Sequence, residues 1–381
     1  MLKIPPISNL QNDGCNVDTN RLKIALRYMK KYYSTDKYKK RNLKKSIDAV
    51  KIYRKRKPKK NKKNILKLKP EVKKPQFKGK FYREKTRKKP KIVPMIAPND
   101  FSLINNTEKT LNYFKQAHKE LKNKNGILFD ISKITTLTTD AIAVQIAKIK
   151  DERFHLNKQI LGNEPDNLNL RKLFTQSGFY EYVNTKVIHK KNDKKLLIHE
   201  ITNNRVEPDI AKEACLIGLR HTFNNEEIFE PLYDILIEIM QNTNNHAGNI
   251  RGKYDWWLHV YNHTDSLKTS YTFLDLGVGI FDSLPVKSFK RDFLELLGLK
   301  SNLDLVPKLF AGEIKSRTAR PERGKGIPQV YECSQDSIFE KFILISNDIY
   351  ADLKTKENKI IKTQFEGTLF YWEINNNQNE N

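Results

Sequence analysis

The sequence predicts an α/β protein in which two globular α/β parts follow a basic arm, and three observations lead there. From Lys91 onward, short apolar strands alternate with amphipathic helices, the order expected of an α/β layer. Farther along stand four short segments: EIMQN (Glu238 to Asn242), DLGVG (Asp275 to Gly279), RGKGIP (Arg323 to Pro328) and GTLFYW (Gly367 to Trp372). They read as a helix face, a strand running into glycines, a glycine-flanked helix start and a second strand. The charge, finally, is lopsided: residues 1–92 hold 33 Lys+Arg against 6 Asp+Glu, a net of +27, which is the formal net charge of all 381 residues. A split of this kind marks an appended basic segment rather than a basic fold. The expected divisions are residues 1–90, 91–190 and 205–377.

The arm comes first. Residues 21–53 carry Leu22, Ile24, Ala25, Tyr28, Met29 and Tyr32 with some helical periodicity, whereas RKRKPKKNKK (Arg54 to Lys63) is too charged to pack and is expected to be disordered. Tyr33, Tyr38, Tyr53, Phe77, Phe81 and Tyr82 are interleaved with lysines, a pattern that lets bases stack while cations hold phosphates. Nucleic acid, RNA above all, is the first partner expected; an acidic protein, a membrane surface or plain solvent are the alternatives.

In the middle part, Ile92 to Ile96 reads as a strand, Glu108 to Lys122 as a helix and Gly126 to Ile131 as a strand. Thr139 to Lys150 reads as a helix with the apolar stripe Ile142, Ala143, Ile146 and Ile149, capped by Thr138 or Thr139. A short strand over Lys158 to Gly162 and a helix over Leu168 to Gln176 lead to Ser177-Gly178-Phe179.

The C-terminal part carries chemistry. Leu232, Ile235, Leu236 and Ile239 predict an amphipathic helix over Glu230 to Asn242, and Glu238 and Asn242, four apart, share one side of it. A carboxylate and an amide oxygen so placed suit a general base and a ligand for a hard cation such as Mg²⁺. A buried strand, Tyr271 to Asp275, ends in an acceptor suited to an exocyclic amine, and Gly277 and Gly279 let the backbone turn sharply beside a flat ligand. Gly324-Lys325-Gly326 opens a helix with Pro328 in its first turn; free N–H groups and the positive end of the dipole suit phosphate. Arg317, Arg320, Arg323 and Lys325 crowd the preceding loop. Thr368 begins the alternating strand Leu369 to Ile374. The result reads as a nucleotide pocket without a GxxxxGK[ST] loop. Taken singly, each segment also reads as plain structure: a solvated helix face, an ordinary turn, a basic surface loop, a strand start.

In this order, the segments resemble the GHKL ATPase superfamily, which contains gyrase, heat-shock protein 90, MutL-type repair proteins, histidine kinases and anti-sigma-factor serine kinases. The resemblance covers residues 205–375 and implies a Bergerat-type α/β sandwich. It implies ATP and Mg²⁺ as cofactors, Asn242 as the Mg²⁺ ligand and Glu238 as the catalytic base. Asp275 would read adenine, Gly277 and Gly279 would line the base, and Thr368 would support that contact. Arg323, Gly324, Lys325 and Gly326 would receive the phosphates. Ile327-Pro328 departs from the leucine usual after GKG, which bears on the lid hinge. Asn242-Thr243-Asn244-Asn245-His246-Ala247 looks like the helix ending of the anti-sigma-factor kinases, and those relatives imply a homodimer.

Residues 91–185 in turn resemble a STAS domain through FDIS (Phe129 to Ser132), LTTDAIAV (Leu137 to Val144) and the closing SGF. In that family a Ser or Thr at the start of the second helix accepts phosphate; here Thr138 and Thr139 are available, and Asp140 aligns with the acceptor as a fixed negative charge or a simple first-turn acid. The joint expectation is an ATP-binding regulatory protein, an ATPase or serine/threonine kinase switch controlled in cis by the STAS-like part or by a regulatory protein. The alternative is an RNA-binding protein using the nucleotide fold as a sensor without turnover. A histidine kinase is disfavoured because no helix-borne phosphoacceptor His stands within a dimerising hairpin; His221 is a possible one but reads as a lone structural residue near a helix start. A gyrase-like clamp is disfavoured because about seven residues follow Ile374. Cys15, Cys215 and Cys333 lack metal-type spacing, and no run is apolar enough to span a membrane, so a soluble, cytoplasmic protein with no membrane partner is expected.

Overall fold

In a computed structural model, the described residues are 91–123, 125–150, 159–185, 197–201, 206–246, 255–284, 301–314 and 326–376. All fall within one compact unit. The basic arm, including the helix expected over residues 21–53, lies outside them.

The architecture is mixed α/β, with parallel and antiparallel sheets. The first half contributes β1 (Ile92–Ile96), β2 (Asp100–Phe101), α1 (Thr107–Lys122), β3 (Gly126–Asp130), β4 (Thr136–Leu137), α2 (Thr139–Lys150), β5 (Ile160–Gly162) and α3 (Leu168–Gln176). Strands β1, β3 and β5 form a parallel sheet in that order, and β2 pairs with β4. The second half contributes β6 (Leu197–Ile201), α4 (Pro208–Phe223), α5 (Glu230–His246), β7 (Asp255–Asn262), β8 (Lys268–Asp275), α6 (Ile280–Ser283), α7 (Leu305–Phe310), α8 (Gly326–Ser334), β9 (Phe339–Asp352) and β10 (Asn358–Asn375). Its five strands form an antiparallel sheet in the order β6-β7-β8-β10-β9.

Strand β8 explains how this sheet is covered on both faces. Side chains alternate along a strand, so its odd and even positions look opposite ways. On one face Thr269 meets Thr222 of α4 at 3.0 Å, and Tyr271 donates to the Ala214 carbonyl at 3.2 Å. Phe273 stacks on Trp256, and Tyr271 on Trp372, with ring centroids 5.6 and 5.1 Å apart. On the other face the Ser270 hydroxyl lies 3.4 Å from that of Thr139 at the start of α2. Burial on both sides is why β8 shows no alternation of buried and exposed positions: seven of its eight residues are buried, polar Thr269, Ser270 and Thr272 among them.

The first half is not a separate bead. Ile127 and Phe129 of β3, Ile142 and Ile146 of α2, and Trp257, Leu274, Ile345, Leu369 and Tyr371 of the large sheet belong to one buried cluster. Strands β9 and β10 also reach past their neighbours to grip α1 and the turn before it. Tyr350 donates to the Ile104 carbonyl at 3.2 Å, Glu108 accepts the backbone N–H groups of Lys362 and Thr363, and Thr363 donates to Asn112 Oδ1 at 2.9 Å.

Helix α4 presses closely on the sheet. A methyl group added to Gly218 would stand 1.8 Å from the Tyr271 hydroxyl oxygen. Gly218→Ala should therefore destabilise the fold by about 1–3 kcal/mol, the usual cost of overpacking. Urea unfolding reads this directly, and Tyr271→Phe in the same chain should recover part of the loss by removing the clashing oxygen.

Candidate functional site

The site is assembled along α5. Leu232, Ile235, Leu236 and Ile239, the face expected from the sequence, are buried. Asp234, Glu238 and Asn242 follow one another at helical spacing on a different side. Glu238 and Asn242 are half-buried. Burial pushes the Glu238 carboxyl up from its ordinary value, and the nearby Asp234 pushes the same way. Gln329 of α8 donates to Asp234 Oδ2 at 3.3 Å, tying α8 to α5. One turn on, a methyl at Gly326, the first residue of α8, would stand 2.7 Å from Glu238 Oε2. The Glu238 carboxylate thus lies against the beginning of α8.

Near the other end of α5, Thr243 donates to Asp275 Oδ2 at 3.3 Å. Asp275 closes β8 and is 2 % exposed. Its Oδ1 accepts the Gly277 N–H at 2.7 Å. Burial pushes its carboxyl up to about 6, against hydrogen bonds from Gly277, Thr243 and Thr368 that favour the charged form. Thr368 sits directly across from Asp275 in the β8–β10 ladder. Beside it Gly367, at φ +115°, lies so close that a methyl there would be 2.0 Å from the Asp275 carbonyl oxygen. Gly367 falls within a register shift of the β9–β10 pairing, between Phe365 and Thr368.

Helix α5 therefore links two groups far apart in sequence: Glu238 with Gly326, and Thr243 with Asp275, Gly277 and Thr368. Asn242 stands between them on the same helix. Arg323, Gly324 and Lys325, like Arg317 and Arg320, lie outside the described residues. The donor chemistry fits the groups expected. Glu238 and Asn242 offer hard oxygens of the kind Mg²⁺ takes. Asp275 offers acceptor oxygens at the end of β8, where hydrogen bonds from Gly277, Thr243 and Thr368 already reach its carboxylate. Among the described residues, no cluster of three or more His, Cys, Asp or Glu could hold a metal by itself.

The proposed acceptor hydroxyls lie elsewhere. Thr138 donates to Ser102 Oγ at 2.6 Å, and Thr139 is buried against Ser270, whose hydroxyl also meets His263 Nε2 at 3.2 Å. Asp140 is fully buried, accepts the Leu103 N–H at 2.7 Å and has its carboxyl pushed up to about 6 by desolvation. Ser270 and Asp275 occupy opposite faces of β8, so the start of α2 and the Asp275 region lie on opposite sides of the sheet. His221 requires a correction: it belongs to the last turn of α4, not to a helix start, and its Nε2 is 3.1 Å from the Ser266 carbonyl.

Asp234 and Thr243 join the site in the structure without having been expected there, as do Ser346 and Asn347 of β9, which bond the backbone of residues 278–281. Spacing would have flagged Asp234, one turn before Glu238. No family model and no curated protein matches this chain. None of the described helices is long and apolar enough to cross a membrane.

Proposed function

We propose that the chain is an ATP-binding regulatory protein of the GHKL type, a Mg-ATP-dependent ATPase or serine/threonine kinase switch joined to a STAS-like layer. One observation carries the reading. Segments that are unremarkable singly meet along α5, with Glu238 against the beginning of α8 and Thr243 on the Asp275 carboxylate. In this reading Asp275 accepts the exocyclic amine of adenine, and Thr368 and Thr243 hold its carboxylate in place. Asn242 ligates Mg²⁺, which when bound neutralises phosphate charge. Gly326 opens α8 at the phosphate end, and Arg323, Gly324 and Lys325 are assigned to phosphate with it. Glu238 takes the proton of the attacking hydroxyl.

The acceptor is water or a hydroxyl on another protein or a second copy, because Thr139 sits behind the sheet. The STAS-like layer then acts through the packing of α1 and α2 against the large sheet and its β9–β10 arm. The basic segment 1–90 supplies a tether for phosphate-rich partners, RNA first.

Incubation with ATP·Mg²⁺ followed by intact-mass and phosphate measurement tests the assignment. We expect ATP binding and free phosphate, with Thr138 and Thr139 unmodified. Failure to bind ATP would sink the reading, and phosphate on Thr139 would overturn the exclusion of transfer in cis.

A further inference from the structure

Asn347 occupies an unusual place for a residue in a long strand. It lies inside β9, almost fully buried, with φ +55°. Left-handed backbone is strained for most non-glycine residues, and Asn tolerates it better than most. Here the conformation aims the carboxamide at the glycine loop after β8. Asn347 Oδ1 accepts the Phe281 N–H at 3.1 Å, and Nδ2 donates to the Val278 carbonyl at 2.9 Å. The preceding Ser346 hydroxyl accepts the Ile280 N–H at 2.8 Å and donates to the Gly367 carbonyl at 2.9 Å.

Two adjacent side chains thus replace the backbone pairing that β9 cannot extend to this loop. They fasten it at Val278, Ile280 and Phe281, and through Gly367 they fasten the β10 bulge that touches Asp275. The same contact explains Gly279. Its φ is +80°, and a methyl there would stand 2.4 Å from Asn347 Oδ1. The second glycine of DLGVG is thus required by the clamp, whatever a ligand requires. Only a carboxamide supplies a donor and an acceptor side by side for this pairing.

We propose that Asn347, with Ser346, is a positioning residue for base binding: it fixes the distance between the 277–281 loop and the Asp275 carboxylate, and so sets affinity for the adenine end of the nucleotide. This rests on the nucleotide reading above.

The test uses the full chain with Asn347→Gly, which keeps the positive φ without strain and removes the carboxamide, and Asn347→Asp, which keeps the acceptor for Phe281 and loses the donor to Val278. Affinities for adenosine and ATP·Mg²⁺, kcat, KM and amide exchange at Ile280 and Phe281 are measured. Losing two hydrogen bonds predicts about tenfold weaker binding of Asn347→Gly to adenosine and to ATP·Mg²⁺ alike. The loss falls on KM with kcat close to wild type, Asn347→Asp lies between, and the Phe281 amide exchanges faster. Equal affinities in Asn347→Gly and wild type, or a loss confined to kcat, would overturn the proposal. If wild type binds neither ligand, the nucleotide reading itself fails; base positioning falls with it, and the Phe281 amide then decides only whether the clamp holds the loop.

Discussion

Glu238→Ala should abolish turnover while leaving ATP bound. Loss of a positioned general base costs roughly 10²–10⁴-fold in rate. Single-turnover measurement with saturating ATP·Mg²⁺ reads the chemical step, and calorimetry reads binding. The two separate because Glu238 contacts the start of α8 rather than the Asp275 end of the site. Its environment favours the role: burial first, then Asp234, raises the carboxyl above its ordinary value, the direction that makes a carboxylate a stronger base. Glu238→Gln keeps the volume beside Gly326 and removes the basicity, so it should lose the same rate. If Gln retains activity and Ala does not, Glu238 shapes the start of α8 and is no base.

The elements legible in the sequence share a property: their periodicity was carried by large side chains. Helix α5 showed through Leu232, Ile235, Leu236 and Ile239, and α2 through its isoleucines. Helix α4 escaped because its buried positions are mostly small or polar: Ala211, Ala214, Cys215, Gly218 and Thr222. Such a stripe gives little apolar signal but allows the close approach that sets Gly218 on Tyr271. In β10 only the second half was read. Its first half alternates well, with Ile361, Thr363 and Phe365 inward, but Thr363 is polar because it meets Asn112 of α1, a partner some 250 residues away in sequence.

The candidate site divides the same way. Glu238, Asn242, Asp275 and Thr368 stand in local patterns, so the sequence alone is enough to propose them. Ser346 and Asn347 stand in none; they matter because a register shift across β9 and β10 brings Gly367 and the Asp275 loop to them. The placement of Thr139 was equally invisible, since helix periodicity does not say which face of a sheet a helix covers.

Asp275→Asn should weaken ATP binding by roughly 10- to 100-fold, the worth of a hydrogen bond to a charged group at about 1.5–3 kcal/mol. The same carboxylate should make binding pH-dependent. With the Asp275 carboxyl at about 6 in the folded protein, the strong acceptor form dominates above that value and is lost below it. Binding favours the ionised form, so affinity should hold steady above about pH 6 and fall as pH drops through it. Adenosine is the ligand for this measurement, because phosphate groups titrate in the same range. Asp140 is the internal control, since its carboxyl is also near 6 but it lies on the far face of the sheet. Asp140→Asn should leave the adenosine profile unchanged and Asp275→Asn should flatten it. The two carboxyls act alike on stability: raised by burial, each contributes most below its unfolded value near 4 and loses that contribution as pH rises through about 6. Only the ligand tells them apart. A profile that follows Asp140, or one that survives Asp275→Asn, would remove Asp275 from base recognition.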